Sequence, residues 1–160
     1  MTVSDALAAP LRLPCGATLP NRLAKSAMTE GLADEWLRAT ARHERLYRRW
    51  SEGGAALHLT GNVMIDRRVL ERPGNVCLDP SWQPSVSSEA RRRLKRWAAA
   101  GTAAGNHLWM QLSHAGRQSP RYVTSKPVGP SAVPLDLLGN YAAPRALTEA
   151  EILGHVGRFA

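Results

Sequence analysis

Leu108-Trp109-Met110-Gln111-Leu112-Ser113-His114-Ala115-Gly116-Arg117 is the stretch whose reading decides the fold. It opens as an apolar run and closes in a polar, glycine-bearing turn. A buried parallel strand that delivers side chains to a site at its C-terminal end has this profile. Strand alternation puts Trp109 and Gln111 on one face and Leu108, Met110 and Leu112 on the other. An amide such as Gln111 at the end of a buried strand needs hydrogen-bond partners. Neighbouring loop backbone can supply them, and so can a bound heterocycle with its own donors and acceptors.

Upstream of this strand the pattern alternates. A helix starting near Ser85–Ser88 carries Val86, Ala90, Leu94, Trp97 and Ala98 as its apolar stripe, and Gly101 and Gly105 end it. Before it, residues 63–85 form a long excursion with turn chemistry at Glu71-Arg72-Pro73-Gly74-Asn75. Ala55 to Leu59 reads as another strand, leaving through Thr60-Gly61-Asn62. An earlier helix begins between Asp34 and Thr40, both suited to an N-cap. His43, Leu46, Tyr47 and Trp50 give it one buried stripe, and Gly53-Gly54 stops it. Leu23 to Met28 reads as the first strand, with Thr29, Glu30 and Gly31 leaving its end. Leu11-Arg12-Leu13 and Ala17-Thr18-Leu19 flank Pro14-Cys15-Gly16 as a small hairpin. Residues 1–10 read as a loose leader.

Downstream, Pro120 to Pro144 reads as an extended surface loop. Thr148-Glu149-Ala150-Glu151 is a capping-box sequence. It opens a third helix bearing Ile152, Leu153, Val156 and Phe159. The order strand, helix, strand, helix, strand, helix predicts parallel βαβ units. The polar endings Met28-Thr29, Gly61-Asn62 and Gln111 then share one end of the sheet, where barrels of this kind place their chemistry. His58, inside the second strand, reads as a packed side chain and not a ligand.

The bulk composition narrows the function classes. Hydrophobic residues make up 44% of the 160 and charged residues 21%, the balance of a globular chain with a real core. No apolar run approaches the roughly 18 residues that span a membrane, and no secretory leader is evident. Cys15 and Cys77 form no metal-ligand pattern and read as reduced thiols, which points to the cytoplasm. Twenty-one basic against 13 acidic residues leave a net charge of +8, which makes nucleic acid a candidate partner. The densest cluster, Arg91-Arg92-Arg93 with Lys95 and Arg96, has no interleaved aromatic residues for base stacking, so it reads as a solvated helix face. No Gly-x-Gly-x-x-Gly or Walker-type loop is present, which argues against a Rossmann or P-loop protein.

Four motifs carry a resemblance, in order along residues 11–160. Asn21-Arg22 leads into Ala27-Met28-Thr29, with Ala27 where many members have proline. Thr60-Gly61-Asn62-Val63-Met64 is followed by Glu71-Arg72-Pro73-Gly74-Asn75. Gln111-Leu112-Ser113-His114-Ala115-Gly116-Arg117 is similar to a third-strand signature. Together they resemble the Old Yellow Enzyme family, the FMN-dependent NAD(P)H:flavin oxidoreductases. The resemblance implies a TIM (β/α)8 barrel with FMN at its C-terminal mouth, reduced by NAD(P)H and passing hydride to an activated alkene as small-molecule substrate. It implies that the backbone of Ala27 and Met28 runs along the isoalloxazine and that Thr29 sits near its N5/O4 edge. It places Asn62 near the pyrimidine ring, where many members have a smaller residue, and Gln111 on the pyrimidine edge. His114 and Arg117 belong to the signature as loop-shaping residues.

The family's substrate-anchoring His-x-x-His or His-x-x-Asn motif, its later Lys or Arg beside the flavin and its phosphate-binding loops have no counterpart here. Its proton-donor tyrosine has no evident position. A barrel of this kind typically needs about 250 residues, so the expectation is an N-terminal part of roughly three βα units, truncated at the C-terminus. Such a part would expose an apolar face and an unpaired edge, inviting self-association or a complementary C-terminal half. The competing reading is a non-catalytic remnant or half-barrel module.

Overall fold

The computed structural model describes residues 2–160. Its centre is an eight-residue strand, β4 (Leu57–Met64), in an all-parallel sheet. β6 (His107–Ser113) runs along one edge of β4 from the Leu57–His107 pair to the Met64–Ser113 pair. The other edge is shared by β3 (Ala24–Lys25) at the beginning of β4 and β5 (Val76–Cys77) at its end. Helix α2 (Ala41–Glu52) connects β3 to β4, and α4 (Ser88–Gly101) leads into β6. This is the predicted alternating βαβ order, with sequential strands side by side.

The helices start where their caps dictate. Thr40 caps α2, its hydroxyl accepting from the Arg42 amide while His43 Nδ1 accepts from the Thr40 amide at 3.1 Å. Ser87 caps α4 through the Ala90 amide, and a short helix α3 (Gln83–Val86) precedes it. The buried stripes of the two helices meet over β4. Tyr47, Trp97 and Val63 form the centre of this core, with Leu46, Trp50, Leu94 and Leu108 packed around it. The Tyr47 ring stands edge-on to Trp50 and Trp97, with centroids 4.8 and 5.1 Å apart. Burial pushes the His43 imidazole down to about 4, so it is neutral and free to accept in the cap.

Several boundaries differ from the sequence reading. Residues 3–8 form a short exposed helix α1 (Val3–Ala8), because Thr2 and Asp5 close a capping box. β1 (Leu11–Arg12) and β2 (Thr18–Leu19) form the expected antiparallel hairpin, with Gly16 turned to positive φ. β3 is only two residues long, not the run from Leu23 to Met28, since β4 offers it partners only at Leu57 and His58. β4 does not stop at Leu59 but continues to Met64.

The excursion of residues 63–85 thus begins as strand and pairs again at β5. Its middle is held by Asp66 and Asp79, both buried, which bond Arg68 and Arg158 respectively. The loop of residues 120–144 leads between two short parallel strands, β7 (Val128–Gly129) and β8 (Arg145–Ala146). Helix α5 (Glu149–Phe159) has the predicted Thr148–Glu151 capping box. Arg158 ties it to the end of β4 through the Ile65 carbonyl and Asp79. No helix among the described residues is long and apolar enough to cross a membrane.

Candidate functional site

The site is built by a bulge. Leu59 pairs with Trp109, but the next register pair is Asn62 with Gln111. Three steps along β4 therefore match two along β6. The extra residue turns Asn62 onto the face that Trp109 and Gln111 share; without it Asn62 would point to the other side. The bulge frees backbone groups, and side chains take them up. Thr60 Oγ1 accepts from the Gln111 amide at 2.9 Å, and the Gly61 amide is shared by Glu30 Oε1 at 3.2 Å and the Tyr47 hydroxyl at 3.1 Å.

Across the ends of β3, β4 and β6 a polar row results. Gln111 Nε2 donates to Asn62 Oδ1 at 2.6 Å, and Asn62 Nδ2 donates to Thr29 Oγ1 at 3.4 Å. Three residues singled out from sequence are thereby brought together. Gln111 does not tie down loop backbone with its side chain; its amide nitrogen is turned to Asn62, and its Oε1 accepts nothing from the described residues. Ala27 is half-buried and Met28 is 49% exposed just ahead of Thr29. None of the backbone hydrogen bonds of loops and turns among the described residues uses Ala27, Met28 or Thr29. The row therefore offers a free carbonyl oxygen, a hydroxyl, and open main-chain amides and carbonyls. Those groups suit the edge of a planar heterocycle that both donates and accepts.

The other sequence candidates lie apart from the row. His58 is buried behind β4, its Nδ1 3.5 Å from Asn106 Nδ2, as expected of a packed side chain. His114 Nδ1 accepts from the Gly116 amide, and Arg117 donates to the Val133 carbonyl, so both shape the loop after β6. Cys77 is buried and pushed up to about 12 by desolvation, which leaves it an inert thiol; Cys15 is exposed and also free. No group of three or more metal-ligating side chains occurs among the described residues.

Sequence reasoning missed Glu30, Tyr47 and Gly61 as members of the site. Glu30 reads as a strand exit and Tyr47 as core. Gly61 had a signal in Thr60-Gly61-Asn62, because a glycine inside a strand marks a bulge or a close backbone approach. Here it marks both. A Cβ at position 61 would strike the Met28 carbonyl oxygen and lie 2.9 Å from Thr29 Cα.

No family model matches the chain. It is 36% identical over 166 aligned residues to the NADH-dependent flavin oxidoreductase iliE of Neonectria sp. (strain DH2), covering 94% of this chain and 21% of that protein. It is 37% identical to the NADH-dependent flavin oxidoreductase nadA of Aspergillus parasiticus, covering 88% of this chain and 34% of the relative. Among solved structures, a 2-naphthoyl-CoA reductase complex superposes with a TM-score of 0.83 at 20% identity, over 96% of this chain and 24% of the other. The old yellow enzyme homologue from Zymomonas mobilis gives 0.78 at 24% identity, over 96% and 43%.

The fold is thus part of a (β/α)8 barrel of the kind these reductases share. The chain belongs to the Old Yellow Enzyme family of NADH:flavin oxidoreductases. It spans about a fifth to a third of the length of the curated relatives it matches.

Proposed function

We propose that this chain is the flavin-holding part of an FMN-dependent NAD(P)H oxidoreductase of the ene-reductase type, its residues 11–160 forming a partial barrel domain. The observation that carries the reading is the Thr29–Asn62–Gln111 row at the C-terminal ends of three adjacent parallel strands. Its groups fit FMN. Gln111 Oε1 is a free acceptor, the Thr29 hydroxyl keeps its proton to donate, and the main chain of Ala27 and Met28 is open alongside.

Gln111 and Asn62 would hold the pyrimidine edge, and Thr29 the N5/O4 edge. FMN bound there would supply hydride transfer from a nicotinamide cofactor to an activated alkene. The chain's own part is orientation. Asn62 fixes the Gln111 amide, and the Thr29 hydroxyl, placed by the same row, favours charge on the reduced ring. The names of the curated relatives favour NADH as the reductant.

A second reading is favoured by the open edge of β6. Trp109, Met110 and Leu112 are 46%, 41% and 39% exposed, and β6 is paired with β4 alone. We infer that this edge takes further barrel strands, from a complementary half or from self-association, and that the site works only when so completed.

One experiment addresses both readings: the visible absorption spectrum of the purified chain after incubation with FMN and removal of free flavin. A perturbed flavin spectrum near one flavin per chain is the expected result for a working half-site. Loss of all flavin would leave a module without cofactor affinity of its own.

A further inference from the structure

We propose that Tyr47 and Glu30 act as a positioning pair, which clamps the Met28–Thr29 segment onto the β4 bulge and so sets the cofactor-facing row. The proposal rests on the flavin reading only for the identity of the ligand; the clamp itself stands on the geometry of this chain.

Tyr47 is fully buried, and its ring packing against Trp50 and Trp97 would be served equally by phenylalanine. Its hydroxyl does something else. It reaches out of the core past β4, donates to Glu30 Oε1 in a short contact, and accepts from the Gly61 amide at 3.1 Å. Glu30 Oε1 also accepts from the Gly61 amide at 3.2 Å. Three elements therefore meet at one point: the middle of α2, the bulge of β4 and the residue directly after Thr29. Burial and the neighbouring Glu30 raise the phenol's pKa, so it keeps its proton and remains a donor.

Glu30 is the covalent neighbour of Thr29. Fixing its carboxylate fixes this segment, which presents the Thr29 hydroxyl to Asn62 Nδ2. Gly61 completes the clamp by having no side chain. The Met28 carbonyl and Thr29 Cα lie against its Cα, where a Cβ would strike them. A second pair of glycines holds the far side of the same loop. Gly31 and Gly74 both have positive φ, a Cβ on Gly74 would lie 2.7 Å from the Gly31 carbonyl oxygen, and the Ala33 amide donates to the Gly74 carbonyl at 2.9 Å. Between these anchors, residues 28–30 are tied to the rest of the fold by side chains: Glu30 to the Tyr47 hydroxyl and the Gly61 amide, and Thr29 to Asn62.

The test is residue-resolved amide hydrogen exchange on the full chain, without flavin, for the wild type and for Glu30→Ala, Glu30→Gln and Tyr47→Phe. Glutamine keeps an acceptor for the Tyr47 hydroxyl; alanine does not. Glu30→Ala is expected to speed exchange at Gly61 and at residues 28–31 by about tenfold, with Val63 and Trp97 unchanged. Glu30→Gln should largely restore protection. Tyr47→Phe should match Glu30→Ala at Gly61. Unchanged exchange at Gly61 in Glu30→Ala would overturn the proposal, and so would a loss spread evenly through α2 and α4. If Tyr47→Phe does not fold, the two Glu30 variants decide by the same criteria.

The same proteins are then titrated with FMN. A wild type that retains no flavin removes the idea that this chain alone is a working half-site and leaves the exchange result to judge the clamp. A wild type that binds, with affinity falling about tenfold and the visible band shifting in Glu30→Ala but not in Glu30→Gln, supports both. Binding with the same affinity and spectrum in all variants would sink the positioning role.

Discussion

β4 and β6 are neighbouring parallel strands of similar apolar character, and the fold treats them differently. β4 has strands on both edges and two helices across the face of Val63, while Met64 on the opposite face packs against Leu70 and Cys77, and both are fully buried. β6 is paired on one edge only, and Trp109, Met110 and Leu112 keep about two-fifths of their surface in water. Composition alone would have buried both. The contrast teaches that burial in a parallel sheet is set by what lies beside and above a strand.

The comparison can be sharpened by substitution on its two sides. Trp97→Ala, in the buried cluster over β4, should cost about 3–5 kcal/mol in chemical denaturation. A cost below about 1 kcal/mol would mean that the packed wall is not the stable half.

Acidification probes the same wall. His43 is depressed to about 4 when folded, below its ordinary value of 6.5, so the unfolded chain binds the extra proton first. Stability should be fully present above pH 6.5 and fall by about 3 kcal/mol as the pH drops from 6.5 to 4, with His43→Gln flattening that slope. Loss of the Asp34, Asp66 and Asp79 ion pairs, whose carboxyls are held below their usual range, belongs to a separate and lower window.

At the bulge that joins the two strands, Gly61→Ala should cost about 1–3 kcal/mol, since the Met28 carbonyl must move. Its Thr29–Asn62 contact should loosen in the same variant, seen as a shifted Asn62 side-chain resonance. Gln111→Ala, on the β6 side of the row, should leave stability within about 1 kcal/mol of wild type and weaken FMN about tenfold. Equal FMN affinity would remove Gln111 from the site. The smallest effect is expected at the open edge. Trp109→Lys should change stability by no more than about 0.5 kcal/mol while shifting sedimentation toward monomer. A large loss of stability there would mean that Trp109 already packs as β4 residues do.

Much of this was legible in the sequence. Thr40, Ser87 and Thr148 announce their helices because capping is a local interaction between residues two or three apart. The stripe of His43, Tyr47 and Trp50 and the alternation of β6 are likewise periodic signals. The strand exits Thr29, Asn62 and Gln111 could be nominated as site residues because they follow apolar runs in one repeating order. Boundaries were less legible. β3 shrinks and β4 lengthens because pairing with a partner, not propensity, ends a parallel strand.

The sequence by itself therefore determined the βαβ order, the helix starts and the chemical nature of the residues at the strand ends. Only the tertiary structure decided that a one-residue bulge turns Asn62 toward Gln111, and that a core tyrosine reaches Glu30 to hold Thr29 in place. Caps and periodicity act within a few residues. The bulge and the clamp depend on groups 14 to 49 residues apart in the chain, whose meeting is fixed only when the strands pair and the helices pack.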